Sequence, residues 1–184
     1  MTTIELIKSD LFRYAANTTL KSFFIHFLTN PGFIFMFWFR LSQSKHKFVR
    51  MIAYPICFLK NRKYQIHMNP KSVKVGYGFY IGHGGPFIVH PTVKIGNNCN
   101  VAQFTTIGSV TGQAASIGDN VWIGPNVIIT GAITVGSGSV IGAGSIVLDD
   151  VASNTTIAGH KARIIKNSSN LSILGRIYIP HQNY

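Results

Sequence analysis

A chain of 184 residues makes one large domain or a domain with an appendage, and 46% apolar residues is ordinary for a globular protein. Seventeen basic and five acidic residues give a net charge of +12, which suits an anionic substrate, coenzyme phosphates or an acidic membrane surface. No nucleic-acid motif accompanies the charge, so nucleic acid is not an expected partner.

Cys57 and Cys99 make no disulfide framework. Glu5 and Asp10 stand where a signal peptide would carry its basic residues, so a reduced, cytoplasmic protein is expected, at the inner face of the membrane if it meets lipid.

Residues 1–66 read as a helical region. Thr2 and Glu5 suit a capping box, with Ile4, Ile7, Leu11 and Tyr14 on one face. Asn30-Pro31 reads as an N-cap with proline at the first helical position, opening an aromatic helix through Phe39. A further helix is expected from His46 to Leu59, kinked or ended near Pro55. The apolar runs are broken by His26, Thr29, Asn30, Pro31 and Arg40, so none reaches the ~20 residues of a spanning helix. Burial against the rest of the protein is expected for the aromatics. Peripheral membrane contact is the alternative, with the basic residues Arg40, Lys45, Lys47, Arg50, Lys60, Arg62, Lys63, Lys71 and Lys74 at the headgroups.

From Val75 onward an aliphatic residue recurs on a six-residue beat: Val75, Ile81, Ile95, Val101, Ile107, Ile117, Ile123, Ile129, Val135, Ile141, Val147. Most are followed by glycine. A second column sits two places earlier, at Val93, Cys99, Thr105, Val121, Val127, Ile133, Ser139 and Ser145. A hexapeptide period means a parallel β-helix, three hexads to a coil, each coil burying its apolar column only by stacking on the next. The predicted fold is therefore mainly β, a left-handed parallel β-helix over 67–165 behind the helical region, with 166–184 as a tail. Two extra residues separate Ile81 from Ile95. Four separate Ile107 from Ile117, and the step from Val147 to Ile157 is read the same way. Extra residues emerge as loops, usually on a functional face.

The first break reads Ile81-Gly82-His83-Gly84-Gly85-Pro86. His83 lies two residues past a column position, so it points outward, bounded by glycines. An exposed imidazole there suits a general base that takes a proton from a hydroxyl. No third histidine joins His83 and His90 in register, so no metal is expected.

Gly76 to Gly96, with the His83 loop, and Val101-Ala-Gln-Phe-Thr-Thr-Ile-Gly108 resemble the serine acetyltransferase branch of the hexapeptide-repeat acyltransferases, in particular the capsule and exopolysaccharide O-acetyltransferases of the colanic-acid type. Ile117 to Pro125, Ile141 to Val147, Ala158 to Ile164 and the lead-in Asn30 to Ser42 fit the same pattern. The resemblance implies a homotrimer that binds acetyl-CoA in a groove between prisms, with His83 as catalytic base. It implies cofactor contacts at Gly124, Ala143 and Gly144, with Lys161 and Arg163 at the phosphates.

The departures bear on the acceptor. Serine acetyltransferases place an acidic residue before the histidine, to hold the serine amine, and an aspartate one coil earlier, to orient it. Here Gly82 precedes His83, and no carboxylate lies between residues 11 and 118. Asn69 and His67 become the candidates for orienting His83, with Asp119 or the N-terminal helices as other sources. A saccharide hydroxyl of a surface polysaccharide or its precursor is thus the expected acceptor. Serine O-acetylation, or a catalytically silent scaffold at the membrane surface, is the alternative.

Overall fold

The computed structural model describes residues 1–182. Four helices lead: α1 (Thr3–Ala15), α2 (Leu20–Thr29), α3 (Pro31–Ser42) and α4 (Lys47–Tyr64). The capping box of α1 is present, Thr2 N–H donating to the Glu5 carboxylate at 2.7 Å and Glu5 N–H to Thr2 Oγ1 at 3.2 Å. Asn30 Oδ1 caps α3 by accepting from Phe33 N–H. Helix α4 runs through Pro55 to Tyr64, beyond the expected end.

The chain then winds into coils that add one short strand at a time to three parallel sheets. The first sheet stacks β1 (Ile66–His67), β4 (Phe87–Val89), β7 (Thr106–Gly108), β10 (Ile128–Thr130) and β13 (Ile146–Val147). The second stacks β2 (Lys74–Val75), β5 (Lys94–Ile95), β8 (Ser116–Ile117) and β11 (Thr134–Val135). The third stacks β3 (Tyr80–Ile81), β6 (Asn100–Val101), β9 (Trp122–Ile123), β12 (Val140–Ile141) and β14 (Thr156–Ala158), closed by antiparallel β15 (Arg163–Lys166). Register follows the beat: Ile81 pairs with Val101, Val101 with Ile123, and Ile123 with Ile141.

Both columns fill the interior. Ile81, Val101, Ile107, Ile123, Ile129 and Ile141 are buried, as are Val93, Cys99, Val121, Val127, Ser139 and Ser145 from the second column. The buried hydroxyls are satisfied locally: Ser145 Oγ donates to Gly142 O, and Ser139 Oγ to Gly136 O and Ala152 O.

The step from Val147 to Ile157 corrects the sequence reading. It spans two sides of the last coil, since Val151 bridges Val135 on the second sheet. Two sides ordinarily take twelve residues, so this coil is shortened rather than extended. The four extra residues after Ile107 do form a loop, closed by a bridge between Ser109 and Ala114.

Helices α3 and α4 close the first end of the stack. Phe35, Met36, Phe39 and Cys57 join the same core as Ile66, Phe79 and Ile81. Helix α1 is held against the first coil by polar side chains. Asp10 accepts from Arg40 Nε at 2.8 Å and Nη2 at 3.0 Å, and from Phe79 N–H at 2.8 Å. Arg40 also donates to Val75 O and Gly76 O. Arg40 is thus a buried structural cation and not part of a basic surface. Arg13 donates to Gly78 O, Asn100 Oδ1 and Leu174 O.

The tail returns to this region. Asn98 Nδ2 donates to Tyr178 O, Tyr178 N–H to Asn98 Oδ1, and Arg176 Nη1 to Tyr14 O.

Burial of the aromatics is found for α3 and only in part for α2. Phe23 and Phe27 pack on Phe33 and Phe37, whereas Leu20, Phe24, Ile25 and Leu28 are exposed. Among the described residues no single helix is long and apolar enough to cross a membrane. The pair α2–α3 passes that test together, bent by 108°, but Phe33, Phe35, Met36 and Phe39 of α3 lie in the protein core.

Candidate active site

The corner between the third and first sheets repeats in each coil, and His83 stands at its top. Below it come Gln103-Phe104, Pro125-Asn126 and Ala143-Gly144. The corner takes one left-handed residue three places past the column residue: Gly84 (φ 55°), Phe104 (61°), Asn126 (56°) and Gly144 (68°). His83 (φ 58°) is left-handed as well, unlike Gln103, Pro125 and Ala143 in the same place on the later corners. What sets the first corner apart is its two extra residues, which turn Gly82–Gly84 into a short 3-10 turn with His83 exposed between buried glycines.

The helical region supports this turn from behind. Tyr14 brackets the preceding strand, its hydroxyl accepting from Ile81 N–H at 3.0 Å and donating to Ile81 O at 3.3 Å. Burial pushes the Tyr14 phenol well above its ordinary range, so it stays a neutral donor. A methyl group on Gly84 would stand 2.6 Å from Pro31 Cβ, and one on Gly32 2.8 Å from Ile81 O. The N-terminus of α3 and the His83 turn thus meet backbone to backbone.

His83 lines a cavity of about 190 Å³ with Tyr80, Gly82, Asn100, Ala102, Gln103, Trp122 and Pro125. Gln103 Oε1 is buried without a hydrogen-bond partner. A buried acceptor left unpaired costs ~1–3 kcal/mol. Among the described residues the His83 ring makes no hydrogen bond.

Neither proposed orienting residue lines this cavity. Asn69 Oδ1 closes a local turn by accepting from Lys71 N–H at 2.9 Å, and Asn69 lines a different cavity with Tyr54, Phe58, Asn61 and Pro70. His67 sits on β1, paired with Ile88. Asp119 is excluded within one chain as well, because it accepts from Asn97 N–H at 2.7 Å on another corner.

All five carboxylates are committed elsewhere. Glu5 caps α1, Asp10 pairs with Arg40, Asp150 accepts from Thr134 N–H, and Asp149 pairs with Lys161 at 2.9 Å.

The cofactor candidates divide. Gly124, Ala143 and Gly144 lie on the His83 corner, roughly 10–15 Å along the stack from it at ~4.8 Å per coil. A methyl on Gly124 would lie 2.8 Å from the Trp122 ring and 2.9 Å from Ala143 N, so glycine leaves room there for the indole and the next coil. Ala143 is exposed, and its N–H is not donated within the described chain. Such a group suits a main-chain contact to an extended amide-bearing chain such as the CoA arm. Gly144 N–H, by contrast, already bonds Pro125 O. Lys161 is exposed and paired with Asp149, and Arg163 lies on the exposed β15. Gln103, Trp122 and Pro125 are the site residues that the sequence reading missed. Three hexads to a coil, counted down from His83, would have found them.

Residues 114–149 match the family described as bacterial transferase hexapeptide (six repeats). Chloroplastic serine acetyltransferase 1 of Arabidopsis thaliana is 30% identical over 175 residues, 91% of this chain and 55% of that protein. The chain thus spans about half the length of that curated relative. The crystal structure of serine acetyltransferase from Brucella abortus superimposes with a TM-score of 0.76 at 29% identity, covering 89% of this chain and 69% of the other. A serine acetyltransferase in complex with CoA gives 0.75 at 25%, covering 89% and 69%. Residues 114–149 thus carry the hexapeptide repeat of bacterial transferases, and the chain is similar in sequence and in fold to serine acetyltransferases.

Proposed function

We propose that this chain is an acetyl-CoA-dependent O-acetyltransferase in which His83 is the general base. The observation that carries the reading is an exposed, unbonded imidazole at the head of a cavity whose corner continues into undonated backbone N–H groups.

The imidazole would take the proton of the acceptor hydroxyl as its oxygen attacks the thioester carbonyl. The tetrahedral oxyanion would then collapse with release of CoA thiolate, which leaves as thiol on protonation. Among the described residues the N–H of Gln103 is not donated; Gln103 lines the same cavity, where that N–H would stabilise the oxyanion. Ala143 N–H would meet the CoA arm. Lys161 and Arg163 are the cations available to the phosphates. A homotrimer would place a second prism against this corner and supply the group that fixes the His83 tautomer.

The relatives named above support serine as the acceptor. A second reading, a saccharide hydroxyl, rests on one observation: among the described residues no carboxylate lines the His83 cavity, so an ammonium group finds no counter-ion there.

Thiol release from acetyl-CoA with free serine and with neutral oligosaccharides separates them. Turnover on serine alone supports the first reading, and turnover on saccharide alone the second. No turnover on either, with no CoA binding by calorimetry, would sink the transferase assignment.

A further inference from the structure

Helix α4 has two apolar faces. Ala53 and Cys57 are buried against the end of the coil stack. On the opposite side Phe48, Met51, Ile52, Pro55, Phe58 and Leu59 recur at spacings of three and four, which makes one continuous stripe. All six are exposed, Phe48 to 77% and Leu59 to 62%. Soluble proteins expose large apolar side chains singly, and a contiguous stripe marks a surface that something covers.

Charge says what covers it. Lys45, Lys47 and Arg50 flank one end of the stripe, and Lys60, Arg62 and Lys63 the other. Residues 11–118 hold no Asp or Glu. The first turn of α4 holds no acidic residue, and Lys47 and Arg50 there oppose the helix dipole, so helix stability does not account for these two, whereas Arg62 and Lys63 in the last turn complement it. Beside the stripe Lys47, Arg50 and Lys71 line a cavity of about 370 Å³ with Met51 and Tyr54. Lys71 Nζ lies 4.3 Å above the Tyr54 ring. A second copy of the chain on this face would bring the two sets of cations together without a counter-charge, which like-charge repulsion disfavours.

We propose that the outer face of α4 docks on an anionic phospholipid bilayer. The helix lies in the plane of the interface, its apolar stripe at the acyl boundary and its cations among the headgroup phosphates. The cavity of Lys47, Arg50 and Lys71 takes one such phosphate. Helix α4 closes the end of the stack at which the His83 corner stands, so docking holds that corner close to the lipid surface. The proposal stands whichever hydroxyl accepts the acyl group.

Cosedimentation of the full chain with vesicles tests it, using phosphatidylcholine alone or mixed with phosphatidylglycerol. The protein should sediment with the mixed vesicles, not with the neutral ones, and binding should weaken with added salt. The variant Ile52→Glu with Leu59→Glu should lose binding while its circular dichroism stays unchanged. The variant Arg62→Gln with Lys63→Gln should bind roughly thirtyfold more weakly. Failure to sediment with the mixed vesicles, equal binding to both vesicle types, or full binding by the Ile52→Glu, Leu59→Glu variant overturns the proposal. It also fails if sedimentation velocity shows the wild type doubled by a contact that this variant abolishes, because a second copy then covers the face.

Discussion

Gly84→Ala reads out the coupling between the helical region and the His83 turn. The added methyl would stand 2.6 Å from Pro31 Cβ and 3.0 Å from Gly32 N, at a residue with φ +55°. Ordinary carbon contacts lie at about 3.5–4.0 Å, so the turn or the start of α3 must move by about 1 Å. The left-handed backbone adds ~1–2 kcal/mol for a residue with a Cβ. Together a loss of roughly 2–4 kcal/mol is expected, a fall in Tm of about 5–15 °C for a chain of this size. The same shift moves His83, and a misplacement of ~1 Å costs up to about a hundredfold in kcat. KM for acetyl-CoA should hold, since Ala143 lies coils away. Gly112→Ala is the control: its φ is +87° with nothing within 4 Å, so it carries the backbone strain without the collision. Differential scanning calorimetry and CoA thiol release measure both quantities. A Gly84→Ala protein with wild-type Tm and kcat would refute the proposed contact.

Three further outcomes are expected. Arg40→Met strands the buried Asp10 carboxylate, at a cost of about 3–5 kcal/mol by urea unfolding; adding Asp10→Asn should recover part of it, and strict additivity would count against the pair. Gln103→Leu removes a buried unpaired acceptor and keeps the backbone N–H, so stability by urea unfolding should hold or rise with kcat unchanged; a clear loss of stability would contradict the unpaired oxygen. Burial pushes the Cys57 thiol up to about 11 and Cys99 up to about 12, so at pH 8 about one Cys57 in a thousand is thiolate. A thiol reagent should then see neither cysteine until the protein is denatured. Because the folded state holds these protons more tightly than the unfolded chain, the contribution to stability falls as pH rises above 9.0.

Much of the fold is legible in the hexads because each column residue faces the same interior, and coil stacking makes the period strict. Val101, Ile123 and Ile141 sit where their spacing puts them. The fifth coil is not legible, since ten residues fit either a loop on one side or a deletion over two. The bridge from Val151 to Val135 decides between them.

His83 is readable from its break and flanking glycines. Its surroundings are not, because Gln103 and Trp122 reach it across coils, about 20 and 40 residues away. The roles of Asp10 and Arg40 are hidden for a related reason. A charged residue on a helix reads as surface until tertiary packing supplies backbone carbonyls such as Val75 O and Gly76 O to meet it. The unpartnered outer stripe of α4 is visible in the spacing of Phe48, Ile52, Pro55 and Leu59, once the structure shows that Ala53 and Cys57 already face the core.

The most direct test of the account is acetyl transfer by His83→Asn. Asparagine tolerates the left-handed backbone at this position, so the turn is kept while the base is lost. With the acceptor that the wild type uses, kcat should fall by about 10²–10⁴, while CoA affinity by calorimetry and Tm stay as in the wild type. Undiminished kcat in a folded, CoA-binding His83→Asn protein would contradict the central claim.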